Sequence, residues 1–169
     1  MRARHPLPRL WLMTDDRQGE GLWDALARLP EGAGVVFRHY SLAEPERRAL
    51  FEDVRHTARE RGLVVLSAGT QFPGADGVHN GHGAGIRTAS AHGLGEIRRA
   101  ERRGADLIFL SPVFATRSHA DAQPLGPLRF ASLARRTQLP VVALGGMNET
   151  RFRSLRGAYG WAGIDAWSA

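Results

Sequence analysis

The sequence predicts an α/β protein built as a compact TIM (β/α)8 barrel, and three observations carry that expectation. Short apolar runs alternate with amphipathic helical stretches along 169 residues, which is the signature of a parallel sheet with helices packed outside it. Eight such runs are present, a number that suits a closed barrel better than an open doubly wound sheet. The two strongest, in Gly104 to Ser118 (GADLIFLSPVFATRS) and Leu139 to Met147 (LPVVALGGM), run into loops rich in hydroxyls or glycine. Barrel strands present groups to an anionic substrate in this way, at their carboxyl ends. A flavodoxin-like sheet is the structural alternative, because the chain is well below the ~250 residues typical of the barrel. The barrel therefore requires some crossover helices to be short or missing, within one domain over residues 1–169.

Leu10 to Thr14 (LWLMT) forms a first buried strand that breaks at Asp15-Asp16-Arg17, and Gly21 to Leu29 gives a short helix ended by Pro30. Val35 to Phe37 is the second strand, ending at Arg38-His39-Tyr40. Ser41 and Glu44 have capping-box spacing, Leu50, Val54 and Ala58 share one helical face, and Gly62 is a natural stop. Leu63 to Leu66 is the third strand. Ser67 to Gly74 is too short and turn-like for a helix, so the third crossover is reduced before the strand at Asp76 to His79. Asn80 to Gly85 (NGHGAG) is loop, which trims the fourth crossover as well. Ile86 to Ser90 is the fifth strand, Leu94 to Arg103 a helix stopped by Gly104, and Leu107 to Leu110 the sixth strand. Pro127 to Thr137 gives a helix, Val141 to Leu144 the seventh strand, Glu149 to Leu155 a short helix and Trp161 to Ala166 the eighth strand. No room follows for a last helix, so that flank is one a partner subunit could cover, as in a homodimer.

Composition narrows the function. All 23 basic residues are arginine, so Schiff-base chemistry, a phosphate-loop lysine and a lysine base are excluded. The chain has no cysteine, hence no thiol nucleophile, thiolate metal site or disulfide. The net charge of +6 raises nucleic acid as a partner, but the arginines of Glu46 to Arg48, Arg59 to Arg61 and Glu96 to Arg103 alternate with glutamates on predicted helices. Solvated helix faces, with no nucleic-acid partner, are the better reading. Trp11, Trp23, Trp161 and Trp167 read as core or interface groups, since no basic-aromatic pattern surrounds them. No run approaches the ~18 apolar residues of a membrane span, and the start lacks a cleavable apolar region, which points to a cytoplasmic protein with no membrane partner.

LWLMTDDR, VVFRHY, GADGVHNG, the SAH of Ser90 to His92, GADLIFLSPVFAT, LPVVALGGM and RGAYGWAGIDA follow one another over nearly the whole chain. In that order they resemble the thiamine phosphate synthase family, which includes the TenI-like thiazole tautomerases. The resemblance implies a TIM barrel that joins hydroxymethylpyrimidine diphosphate to a thiazole phosphate and releases pyrophosphate with Mg²⁺ assistance. Departure of pyrophosphate leaves a pyrimidine-stabilised carbocation, so the site must neutralise the departing charge with cationic side chains, hydroxyls, backbone donors or metal. The resemblance places Arg38 after strand two and Thr116, Ser118 and His119 in the hydroxyl loop, all on pyrophosphate. Ser90 is placed on the pyrimidine or pyrophosphate. Gly145 and Gly146 form a pair that cradles the thiazole phosphate with backbone N–H groups. Small phosphate and pyrophosphate ligands are thus the expected partners.

The match departs from the family at several places. His119 and Tyr40 stand where lysines are expected, Ala68-Gly69 replaces Asn-Asp after strand three, and His82 and Ala84 replace Gln-x-Asp. Both expected Mg²⁺ carboxylates are therefore absent from their matched positions, and Asp165 adds a carboxylate where a serine meets the thiazole phosphate. Pro112 occupies the tautomerase histidine position. A non-catalytic phosphate-binding barrel, or a relative of the TenI-like proteins, is the alternative. Other readings stay open at single residues: Arg38 as an ion-pair arginine, Gly145-Gly146 as a tight turn, and His79 as a packed strand residue. The spacing of His79 and His82, with His92 and His119 nearby, could serve a metal, as could Asp15 and Asp16 at the end of strand one.

Overall fold

Each of the short apolar runs pairs in parallel with its neighbour in sequence, and the last returns to the first. The computed structural model describes residues 6–117 and 120–168. The strands are β1 (Leu10–Met13), β2 (Gly34–Phe37), β3 (Val64–Ala68), β4 (Gly77–His79), β5 (Ile86–Ala91), β6 (Leu107–Leu110), β7 (Val141–Leu144) and β8 (Gly160–Gly163), closed in that order. The β1–β8 pairing, with Trp11 opposite Ala162, excludes the flavodoxin-like alternative. Outside lie α1 (Gly21–Arg28), α2 (Glu44–Glu60), α3 (Leu94–Arg102), α4 (Gly126–Ala134) and α5 (Glu149–Ser154).

Alternation along the strands divides the apolar side chains between inside and outside. Trp11, Met13, Leu66, Phe109 and Val142 fill the barrel interior. Trp11 meets Phe109 edge-on at 5.3 Å between ring centroids. Gly34 makes room for it, since a β-carbon there would lie 2.2 Å from the indole. Two outer clusters pack helices against the ring, one around Phe37, Phe51 and Val54 and the other around Ile97, Ile108 and Phe130.

Where crossover helices are missing, single side chains dry the outer face. After β3, Ser67 Oγ donates to the Thr70 carbonyl and accepts from the Phe72 N–H. This folds the segment so that Phe72 is buried against Phe51 of α2, 5.2 Å between centroids. The β4–β5 connection is fastened to it by the Gln71 amide, which donates to the Ala84 carbonyl and accepts from the Ala84 N–H. After β8 a 3-10 turn at Asp165–Trp167 lays the Trp167 ring on Trp161 at 4.9 Å, and its indole N–H donates to the Trp11 carbonyl. On the flank that a partner subunit could cover, the chain thus lays its own Trp167.

Other expectations also shift. The Ser41/Glu44 capping box does not form: Glu44 is the first residue of α2, Ala43 precedes it without a side-chain cap, and Pro45 starts the helix with its preset backbone. A capping box forms instead at Asp15 and Gln18, before the turn at Asp16–Gln18. Strand three is displaced to Val64–Ala68, strand eight stops at Gly163, and α4 stops at Ala134. Arg47 does not belong to a solvated face. Its guanidinium donates to the carbonyls of Arg38 and Ala68 and lies over Phe72, tying the end of β2 to the end of β3. Among the described residues no helix is long and apolar enough to cross a membrane.

Trp167→Ala should cost about 2–4 kcal/mol, through lost burial, stacking and the bond to Trp11. Urea denaturation measures it, and a loss under about 1 kcal/mol would mean that Trp167 does not seal this flank.

Candidate functional site

The carboxyl ends of the strands meet at one mouth, and the first two strands are locked together there by a polar network. Thr14, directly after β1, is fully buried and receives three contacts from the end of β2. Its hydroxyl accepts from the Arg38 N–H (2.9 Å) and meets His39 Nδ1 (3.0 Å), while its carbonyl accepts from Arg38 Nε (2.7 Å). Arg38 Nη2 then reaches Asp15 Oδ2 at 3.3 Å, and Asp15 Oδ1 takes Arg17 Nε at 2.7 Å. Burial pushes the Arg38 guanidinium below the usual arginine range, with Asp15 pulling it back up. Burial also acts to raise Asp15, but hydrogen bonds and charge from Arg17, with the charge of Arg38, outweigh it and hold the carboxyl low. The Asp15 carboxyl is therefore ionised at neutral pH. His39 is lowered by burial and is neutral.

Across the mouth, β6, β7 and β8 end in loops that frame a cleft of about 100 Å³. Arg38, Ser111, Thr116, Gly145, Gly146 and Asp165 are among its lining residues. The two glycines are dictated by geometry. Gly145 has φ +102° and Gly146 has φ +60°, and β-carbons there would come within 2.7 Å of Pro112 Cα and 2.6 Å of the Ala115 carbonyl oxygen. Both glycines thus sit in a tight turn, a geometry that does not exclude an anion on their N–H groups. The Val113 and Phe114 N–H groups donate to the Leu144 and Gly145 carbonyls, which staples the β6 loop to the β7 loop. Among the described residues, no acceptor takes the Gly145 or Gly146 N–H. Two backbone donors beside a guanidinium and a hydroxyl suit an anion of phosphate size.

The sequence-predicted residues thus divide. Arg38, Thr116, Gly145 and Gly146 come together on one cleft. Ser118 and His119 lie outside the described residues. Ser90 does not line the cleft: it sits on β5, where its hydroxyl meets His79 Nε2 at 3.1 Å and accepts from the Asn80 amide. His79 itself is buried, edge-on to Phe109 and bonded through Nδ1 to Thr88, so the packed-strand reading fits. His82 lies on the barrel flank and His92 Nδ1 meets the Ser111 carbonyl, so these histidines do not gather. Among the described residues no three His, Asp or Glu side chains group as metal ligands. Thr14 is the site residue that sequence reasoning missed, and its only signal was a hydroxyl at a strand end.

A family model described as thiamine monophosphate synthase matches residues 12–167. A thiamine-phosphate synthase from Syntrophomonas wolfei subsp. wolfei is 43% identical over 93% of this chain and 87% of its own length. Another, from Chloroflexus aurantiacus, is 34% identical over 83% of this chain and 75% of its own. Among solved structures, thiamine phosphate pyrophosphorylase from Pyrococcus furiosus superposes with a TM-score of 0.79 at 25% identity, covering 95% of this chain and 86% of that one.

The His79 ring generates a pH prediction. Burial lowers its pKa from 6.5 to about 3 in the folded protein, with the Arg38 charge contributing. Above pH 6.5 the ring is neutral folded and unfolded, and stability is unaffected. As pH falls from 6.5 towards 3 the unfolded chain takes up a proton that the folded one refuses, so stability declines. His79→Gln, which keeps a hydrogen-bonding side chain, should remove part of that decline, on the order of a few kcal/mol. Urea midpoints between about pH 4 and 7.5 measure it, and parallel curves for the two proteins would refute the assignment.

Proposed function

The chain belongs to the thiamine monophosphate synthase family, and we propose that it serves thiamine biosynthesis by binding the phosphate-bearing pyrimidine and thiazole at its barrel mouth and coupling them. In that reaction the carbon–oxygen bond to the diphosphate breaks, pyrophosphate leaves with the bonding pair, and the thiazole nitrogen donates its lone pair to the pyrimidine-stabilised methylene cation that remains. The observation that carries the reading is the convergence of Arg38, Thr116 and the Gly145-Gly146 pair on one cleft at the ends of four strands.

In this reading the N–H groups of Gly145 and Gly146 hold the thiazole phosphate. Arg38, with Thr116, Ser118 and His119, holds the diphosphate and takes up the charge that grows as it departs. Arg38 is already oriented by Thr14 and Asp15, so little is lost in positioning it. Ser90 is held by Asn80 and His79 on the β5 side, where it contacts the pyrimidine or diphosphate. Mg²⁺ would supply further neutralisation, but the described side chains do not fit it. Asp15 is engaged by two arginines, and no three acidic or histidine side chains group together.

The same observation favours a second reading, a phosphate-binding barrel without turnover, in which Asp165 on the cleft wall opposes a fully charged phosphate. Calorimetry with thiamine phosphate and pyrophosphate, with and without Mg²⁺, alongside a coupling assay, separates the two. Arg38→Ala should weaken pyrophosphate binding about tenfold or more. Coupling activity supports the synthase reading, binding without coupling supports the second, and no binding at millimolar ligand refutes both. Gly146→Ala, strained at φ +60° and crowded by the Ala115 carbonyl, should weaken thiamine phosphate more than pyrophosphate. Equal affinities in the variant and the wild type would remove the glycine pair from the site.

A further inference from the structure

The missing crossover helix between β4 and β5 leaves a groove of about 430 Å³ on the barrel flank. It is framed by residues 80–83 on one side, β5 beneath and α3 on the other side. Its small residues, Gly81, Gly83, Ala89, Ala100 and Ala105, leave it open, and Arg87, Arg99 and Arg103 stand among its lining. We propose that this groove, which shares Ser90 with the proposed substrate contacts but not Arg38, Thr116 or the glycine pair, is a second anion site that binds a small molecule carrying two or more phosphate charges.

Three features support this. First, Arg87, Arg99 and Arg103 are exposed and take part in no ion pair among the described residues, whereas neighbouring Arg98 is paired with Glu101 at 2.9 Å. Arg99 and Arg103 stand four residues apart along one helix face, an arrangement that is mutually repulsive. Arg87 adds to it from β5: its guanidinium lies against Gly104, where a β-carbon would sit 3.1 Å from Nη2. The α3 carboxyl end accounts for arginines on the helix, but not for one brought to it from a strand. Second, the groove holds one acidic side chain, Glu96, and its carboxylate is occupied by the His92 N–H. Three arginines therefore line a space with one carboxylate among its lining residues, and the nearby Asp106 carboxylate accepts the Arg87 backbone N–H at 2.9 Å.

Third, the N–H groups of Gly81, His82 and Gly83 donate to no acceptor among the described residues. Side chains at the two glycines would collide with the neighbouring β3–β4 segment, within 2.0 Å of the Gly69 carbonyl oxygen and 2.1 Å of Gln71 Oε1. That close packing keeps bare backbone along the groove, which lets an anion approach N–H donors and guanidinium forks together. The volume lies in the range of small-ligand pockets.

The test is an amide NMR titration with sodium pyrophosphate at constant ionic strength, on wild type, Arg38→Ala, Arg87→Ala and the double variant Arg99→Ala/Arg103→Ala. Saturable shifts at the Gly81, His82 and Gly83 amides are expected. They should persist in Arg38→Ala, and the affinity behind them should fall about tenfold or more in the double variant and less in Arg87→Ala. Failure of the mouth site would appear separately, at Gly145 and Gly146. The proposal is overturned if the flank amides show no saturable shift at millimolar pyrophosphate, or if the double variant responds as wild type does. It is overturned also if a short DNA duplex displaces pyrophosphate from those amides at micromolar concentration, which would make the groove a nucleic-acid contact.

Discussion

The outer face of an eight-stranded ring has to be kept dry, and in this protein that requirement governs both the fold and its binding surfaces. A strand whose outward side chains meet water contributes little to a core, and a (β/α)8 barrel normally meets the need with one helix per strand. Here two crossovers are replaced by much shorter pieces, and β8 is followed by a 3-10 turn at Asp165–Trp167. Phe72 covers the flank after β3 by packing on Phe51, and Trp167 covers the β8–β1 seam by lying on Trp161. Only the segment after β4 brings no large apolar group, and there the flank stays open as a groove with small residues beneath it and arginines around it. The short β4–β5 connection thus leaves a concave surface that a crossover helix would fill.

At the mouth a comparable economy acts on charge. A lysine-free chain has only arginine to provide fixed cations, and arginine performs best when its planar fork is held. Thr14 does the holding: its carbonyl and hydroxyl fix the backbone and Nε of Arg38, while Asp15 fixes one terminal nitrogen. The arrangement resists disorder, but it commits part of the guanidinium before any ligand arrives. An anion entering the cleft must use the remaining donors or compete with Asp15, itself held ionised chiefly by Arg17. A bound phosphate therefore depends on the Gly145 and Gly146 N–H donors as much as on the cation.

The strands were legible because barrel strands buried on both faces are continuous runs of Val, Ile, Leu and Phe, as in Leu107 to Leu110 and Val141 to Leu144. The glycine pair was legible because two adjacent glycines after such a run imply positive φ or close approach, and both occur. What could not be read depends on partners distant in sequence. Nothing local marks Thr14 as the anchor for a residue 24 positions later, or Arg47 as the link between two strand ends. Ser41 and Glu44 had the spacing of a capping box, but that box needs Glu44 in the third helical position. Pro45 suits the first turn instead, so the helix begins at Glu44 and Ser41 lies too far upstream to cap it. Trp167 read as a core or interface group, yet that the chain would fold it over its own seam is a tertiary fact.

The two candidate sites differ in how they would attract an anion. Around the mouth, Arg17 and Arg38 are matched by Asp15 and Asp165: the Asp15 hydrogen bond and charge raise the Arg17 pKa, and Asp165 adds a lesser contribution. Formal charge there nearly cancels, so selectivity must come from geometry: donors fixed at short range, where a hydrogen bond counts for more than a distant field. The flank groove has three arginines against one glutamate, and its cations are exposed and screened by salt. Such a surface draws anions from a distance but discriminates weakly among them. A molecule with several phosphates would gain from both features, and one with a single phosphate mainly from the mouth.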